Sequence, residues 1–126
     1  MSRAERERWA LGEEHWPHLQ AFLSQRIADD TFGSVKALRA AVDGALGTLD
    51  FQQRADIATD CRNFLNAFKT RYDDREFLRD GFGVRGELPI DDRGRGQAGL
   101  GRAKVIYNSF VASLRAEVDG WQPTAN

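Results

Sequence analysis

With 126 residues, 41% of them hydrophobic and 29% charged, the chain has enough apolar surface for one core and too little length for two. That composition, with eight Phe and three Trp, excludes a collagen-like or mucin-like polymer and a largely disordered chain, and no run approaches the roughly 20 apolar residues of a membrane span. The formal net charge of −1 excludes a general electrostatic attraction to nucleic acid or acidic membranes, so any such binding is local.

The expectation is a single helical domain over residues 1–126: an all-α bundle of four to five helices, a long Gly/Arg-rich loop over 81–101 before the last helix, and a tail over 122–126. Ser2 and Glu5 have capping-box spacing and start a first helix. Its surface from Arg3 to Glu14 is so charged that only a narrow apolar stripe around Trp9 and Trp16 is left to pack. Pro17 has no amide hydrogen and restricts Trp16, so the helix ends or kinks there and a second begins. Leu19, Phe22, Leu23 and Ile27 give that second helix an apolar face.

Ser34 caps a third helix carrying Val35, Leu38, Val42, Ala45 and Leu46. Gly44 and Gly47 weaken its second half, and Gly47 falls where a left-handed C-terminal cap belongs. Asp50 and Gln53 again have capping spacing, ahead of Phe51, Ala55, Ala58, Cys61, Phe64, Leu65, Phe68 and Tyr72 at intervals of three and four. This is the expected central core helix, ending by Gly81 or breaking at Asp73-Asp74. The segment Gly81–Gly101 holds seven of the twelve glycines and shows no helical period, which makes it a long loop. Ala103, Ile106, Tyr107, Phe110, Leu114 and Val118 then trace a last helix stopped by Gly120, with Trp121 folding back on its end.

No complete catalytic set, metal site or cofactor motif is present, so no enzyme activity, metal or cofactor is expected. Gly94, Gly96 and Gly99 match G-x-G-x-x-G, but the strand and βαβ unit that a dinucleotide needs are missing, and Arg102-Ala103 replaces the Lys and Ser/Thr of a Walker loop. Glu13, Glu14, His15 and His18 offer nitrogen and oxygen ligands across the break at Pro17. Cys61, on the core face, is expected to be a buried thiol rather than a nucleophile, and a lone cysteine fits a reducing compartment such as the cytoplasm. What remains is electrostatic. Arg85, Arg93, Arg95, Arg102 and Lys104 cluster before and at the start of the last helix, where free amides also favour anions. These five are the expected partner-binding residues.

Arg8 and His15, separated by six residues, resemble the R-x(4–6)-H spacing of HEPN ribonucleases, which are small helical bundles. The resemblance covers those two residues, and Trp9 stands where that family carries a polar residue. It implies a small ribonuclease with His15 as base. The reading preferred from the residues is a non-enzymatic interaction protein, a small binding module, adaptor or inhibitor. It holds a partner protein of acidic surface through a helix face and the 81–101 loop. Nucleic acid is the alternative partner, and no membrane is involved.

Overall fold

The structure is a computed structural model and describes residues 2–27, 31, 34–67, 79, 81–83 and 98–123. They form an all-α bundle of five helices: α1 (Arg3–His15), α2 (Pro17–Arg26), α3 (Val35–Leu46), α4 (Phe51–Ala67) and α5 (Ala98–Glu117). No strand occurs among the described residues, and no helix there is long and apolar enough to cross a membrane.

Local chemistry sets the boundaries. The Ser2 hydroxyl accepts from the Glu5 amide at 3.2 Å and the Ser34 hydroxyl from the Ala37 amide at 3.3 Å. At α4 the capping box is reciprocal: the Gln53 amide donates to Asp50 Oδ1 at 2.8 Å, and the Asp50 amide donates to Gln53 Oε1 at 2.9 Å. Pro17 is the first residue of α2, as its missing amide and fixed φ require. Gly120, at φ +74°, turns the chain after α5, and Trp121 returns to pack half-buried against the core.

The main packing contacts join α1 to α2, α2 to α4, α4 to α5 and α5 to α3. Trp16, Phe64 and Phe82 meet edge to face, with ring centroids 5.4 Å apart for Trp16–Phe64 and 5.1 Å for Phe64–Phe82. Phe22 stacks edge-on against Phe110 at 5.0 Å, tying α2 to α5. Leu19, Leu23, Leu38, Val42, Ile106 and Leu114 complete the buried cluster.

Three expectations are corrected. Gly47 is right-handed, at φ −67° and ψ −14°, because Thr48 and Leu49 donate back to Ala45 and Leu46 and continue the helix as a tight turn. Val35 and Val118 are exposed, since each lies at a helix end beyond the last core layer. The loop is shorter than 81–101 at both ends. Phe82 is fully buried and brings Gly81 and Gly83 with it, and α5 starts at Ala98, so Gly99 and Gly101 are helical. Each glycine costs roughly 1 kcal/mol in a helix, which the packing of Ala103, Ile106 and Phe110 offsets. Residues 84–97 and the expected continuation of the central helix over 68–78 lie outside the described residues.

Candidate interaction surface

Two polar groups inside the bundle fix the helices that carry the surface. Asp60 of α4 is buried, and its Oδ2 accepts from the amides of His18 at 2.7 Å and Leu19 at 3.1 Å. These are orphan amides of the first turn of α2. Trp16, at the capping position, is committed to the core and has no side-chain oxygen, so α4 supplies the cap from across the interface. Burial pushes the Asp60 carboxyl above its ordinary range, aided by Asp56; the two amides and the His18 charge pull the other way.

Arg54, also buried on α4, donates to the Ser113 hydroxyl at 2.6 Å, to the Asp50 carbonyl at 3.3 Å and to Glu117 Oε1. Its guanidinium also lies 5.9 Å from the centre of the Phe51 ring. The start of α4 is thereby fastened to the end of α5. Both residues escape sequence reading because periodicity is counted on apolar side chains, and a polar residue on a core face then reads as an exception.

With α5 fixed against α4 on one side, its other side meets α3 and leaves an open groove of about 530 Å³. Arg39, Asp43 and Leu46 line one wall, and Val105, Asn108, Ser109, Ala112 and Ser113 the other. Charge is unevenly distributed. α3 and α5 carry Lys36, Arg39, Arg102, Lys104 and Arg115 against two carboxylates, Asp43 and Glu117, and Glu117 is engaged by Arg54. In a chain of net charge −1, this pair of helices is distinctly basic.

Of the expected partner-binding residues, Arg102 is half-buried and Lys104 exposed in the first turns of α5, and neither lines the groove. Arg85, Arg93 and Arg95 lie outside the described residues. Sequence reasoning missed Arg39 and the α5 wall. The signal was the stripe Lys104, Asn108, Ala112 and Arg115, at helical spacing opposite the apolar face.

The other candidate chemistry is dispersed. α1 ends at His15 and His18 lies on α2; Glu14 and His15 approach to 4.0 Å, and no group of three potential metal ligands occurs among the described residues. Arg8 and His15 are seven positions apart on α1, about 10 Å of helical rise, with Arg8 half-buried and His15 exposed. Cys61 is fully buried and its Sγ donates to the Ala103 carbonyl at 3.3 Å. Burial pushes that thiol far up, which keeps it neutral and unreactive. Comparison with family models, with curated proteins and with solved structures finds no match.

Proposed function

We propose that this chain is a non-enzymatic interaction protein, a small helical module of the adaptor or inhibitor kind that holds an acidic partner protein on its α3–α5 face. Arg85, Arg93 and Arg95, in the segment leading to α5, extend that contact, and Arg102 and Lys104 join it to the groove. The single observation that carries the reading is the gathering of five cations on two adjacent helices, one of which, Arg39, lines the open groove between them. A protein is favoured over a nucleic acid by the groove itself. Leu46 and Val105 offer apolar contact, and no aromatic ring is among its described lining residues for base stacking. The free, buried Cys61 suits a reducing cytoplasm.

The test is capture of the partner from the source cell followed by binding to two double variants, Arg39→Glu/Lys104→Glu and Arg93→Glu/Arg95→Glu. Each is expected to weaken binding by roughly tenfold or more, about 1.4 kcal/mol, and the first, at exposed positions, should leave stability within roughly 0.5 kcal/mol. Salt should weaken an acidic protein partner modestly. A steep log–log salt dependence that flattens in the variants would transfer the surface to nucleic acid, and unchanged affinity in the first variant would remove the groove from the mechanism.

A further inference from the structure

A second concavity, built from α2 and the start of α4, belongs to none of the surfaces described above. It holds about 220 Å³. His18, Phe22, Gln25 and Arg26 follow the i, i+4, i+7, i+8 stripe of one face of α2, and Gln53 and Ile57 lie one turn apart on α4. Two helical faces therefore meet there, with Leu49 from the turn before α4 between them. The floor is apolar, since Phe22 and Ile57 belong to the core cluster and Leu49 packs against it. Ala21 lines the pocket too, and its single methyl leaves space that a longer side chain would fill.

The charge around this floor has one sign. Arg26 is exposed, donates to a neutral group, the Thr48 hydroxyl, at 3.2 Å, and makes no ion pair among the described residues. Gln25 and Gln53 stand beside it as amides that donate or accept. No carboxylate is among the described lining residues. α2 has none, and those of α4 and its cap are engaged: Asp50 accepts from the Gln53 backbone amide, Asp56 from the Gln52 side chain, and Asp60 from the His18 and Leu19 amides. Because Asp60 already fills the free amides at the start of α2, an entering anion finds its partner at Arg26, whose planar guanidinium matches a carboxylate in two parallel bonds.

We propose that this pocket binds a small monocarboxylate with a compact apolar body, the carboxylate held by Arg26 and the body resting on Phe22, Leu49 and Ile57. Size sets the class. An apolar cavity of about 150 Å³ is enough for benzene, so about 220 Å³ suits one ring with its carboxyl group and is small for a fused ring system or a nucleotide. A bare oxyanion would leave the apolar floor in water. For a ligand of about nine heavy atoms in an open site, the dissociation constant falls in the millimolar range. The pocket shares no lining residue with the α3–α5 groove, so the two sites are tested separately.

Titration of benzoate into the isotope-labelled full chain at constant ionic strength, followed by amide chemical shifts, tests this. Saturable shifts should centre on Ala21 to Arg26 and Leu49 to Ile57, with a dissociation constant of about 1 mM. Benzamide, of the same shape without the charge, should bind at least roughly fivefold more weakly, and acetate, the charge without the ring, should give no saturable shift. Arg26→Gln should weaken benzoate roughly tenfold, to the level of benzamide. Ala21→Leu, a good helix former at an exposed position, should fill the space and abolish binding of both rings. Lys36→Gln on α3 should change nothing. If Ala21→Leu fails to fold, the Arg26→Gln comparison of benzoate with benzamide decides alone. Absence of saturable benzoate shifts, shifts centred on other helices, or benzoate affinity retained in Arg26→Gln overturns the proposal. Benzamide as tight as benzoate would make the pocket a purely apolar one, and acetate as tight would make it a bare anion site; either result overturns it as well.

Discussion

α4 and α1 are neighbours of the same helix, α2, yet they are built on opposite terms. α4 buries Arg54, Ile57, Ala58, Asp60, Cys61 and Phe64, and every polar member of that set is hydrogen-bonded to another helix. α1 buries one glycine and is positioned by a close backbone crossing and two bonds from a single amide. Area removed from water stabilises the first, whereas a backbone crossing and the half-buried Trp9 locate the second. The difference teaches where each kind of substitution should be felt: in α4 wherever the core is cut, in α1 mainly where the backbone crossing is disturbed.

Phe64 gives the sharpest contrast. It is fully buried and touches both Trp16 and Phe82, so Phe64→Ala should cost roughly 3–5 kcal/mol, the transfer term plus the cavity left among three rings. Leu11→Ala on α1 should stay within roughly 0.5 kcal/mol. Urea unfolding of the two variants measures both, and similar losses would mean that α1 carries core energy after all.

The pattern of legibility follows the same division. Ser2, Ser34, Asp50 with Gln53, and Pro17 mark helix starts in sequence and in structure alike, because capping is a local matter of an oxygen within reach of an amide. Leu19, Leu23, Ala58, Phe64, Ile106 and Phe110 lie where helical spacing puts them, because a face that must leave water repeats with the helix. Phe82 was not legible. Flanked by Gly81 and Gly83 it has no period to declare it, and its place in the core depends on Gly12 and Gln20, some seventy and sixty residues earlier. Asp60 and Arg54 were hidden for the same reason, since the α2 amides and Glu117 that they satisfy are remote in the chain. On the α3–α5 face, Arg102 and Lys104 were visible as charges near a helix start, but Arg39 was not, because its neighbourhood is made by the meeting of α3 with α5.

Gly12→Ala tests the crossing between the two regimes. In an isolated helix the change would stabilise by about 1 kcal/mol. Here the new methyl meets a backbone carbonyl at 2.4 Å and, at 2.8 Å, the Gln20 side-chain amide, which two hydrogen bonds hold in place. A net loss of about 1–3 kcal/mol is expected, as for overpacking elsewhere. Hydrogen exchange should show faster opening of α1 with little change in α4. A variant more stable than the parent would show that α1 and the Gly81 segment separate readily, and that the crossing does not hold the helix.

Asp60 offers the smallest effect and the most specific one. Burial raises its folded-state pKa above the unfolded value of about 4. The folded protein therefore holds this proton more tightly than the unfolded chain does. The stabilisation linked to the proton is fully present below about pH 4 and is lost as pH rises through the raised folded value. As pH rises through that value the bundle comes to carry a buried carboxylate whose desolvation the His18 and Leu19 amides only partly offset. Asp60→Asn keeps an oxygen for those amides and removes the charge, so its stability at pH 7 should equal or slightly exceed that of the parent, and the fall in stability above pH 4 should flatten. Asp60→Ala removes the cap as well and should cost roughly 1–2 kcal/mol. Unfolding curves of the three proteins between about pH 4 and pH 8 separate the two contributions. If the asparagine variant were as destabilised as the alanine one, the charge itself would be what holds the start of α2. The link between α4 and α2 would then be electrostatic, and burial would no longer be the term that sets the Asp60 carboxyl.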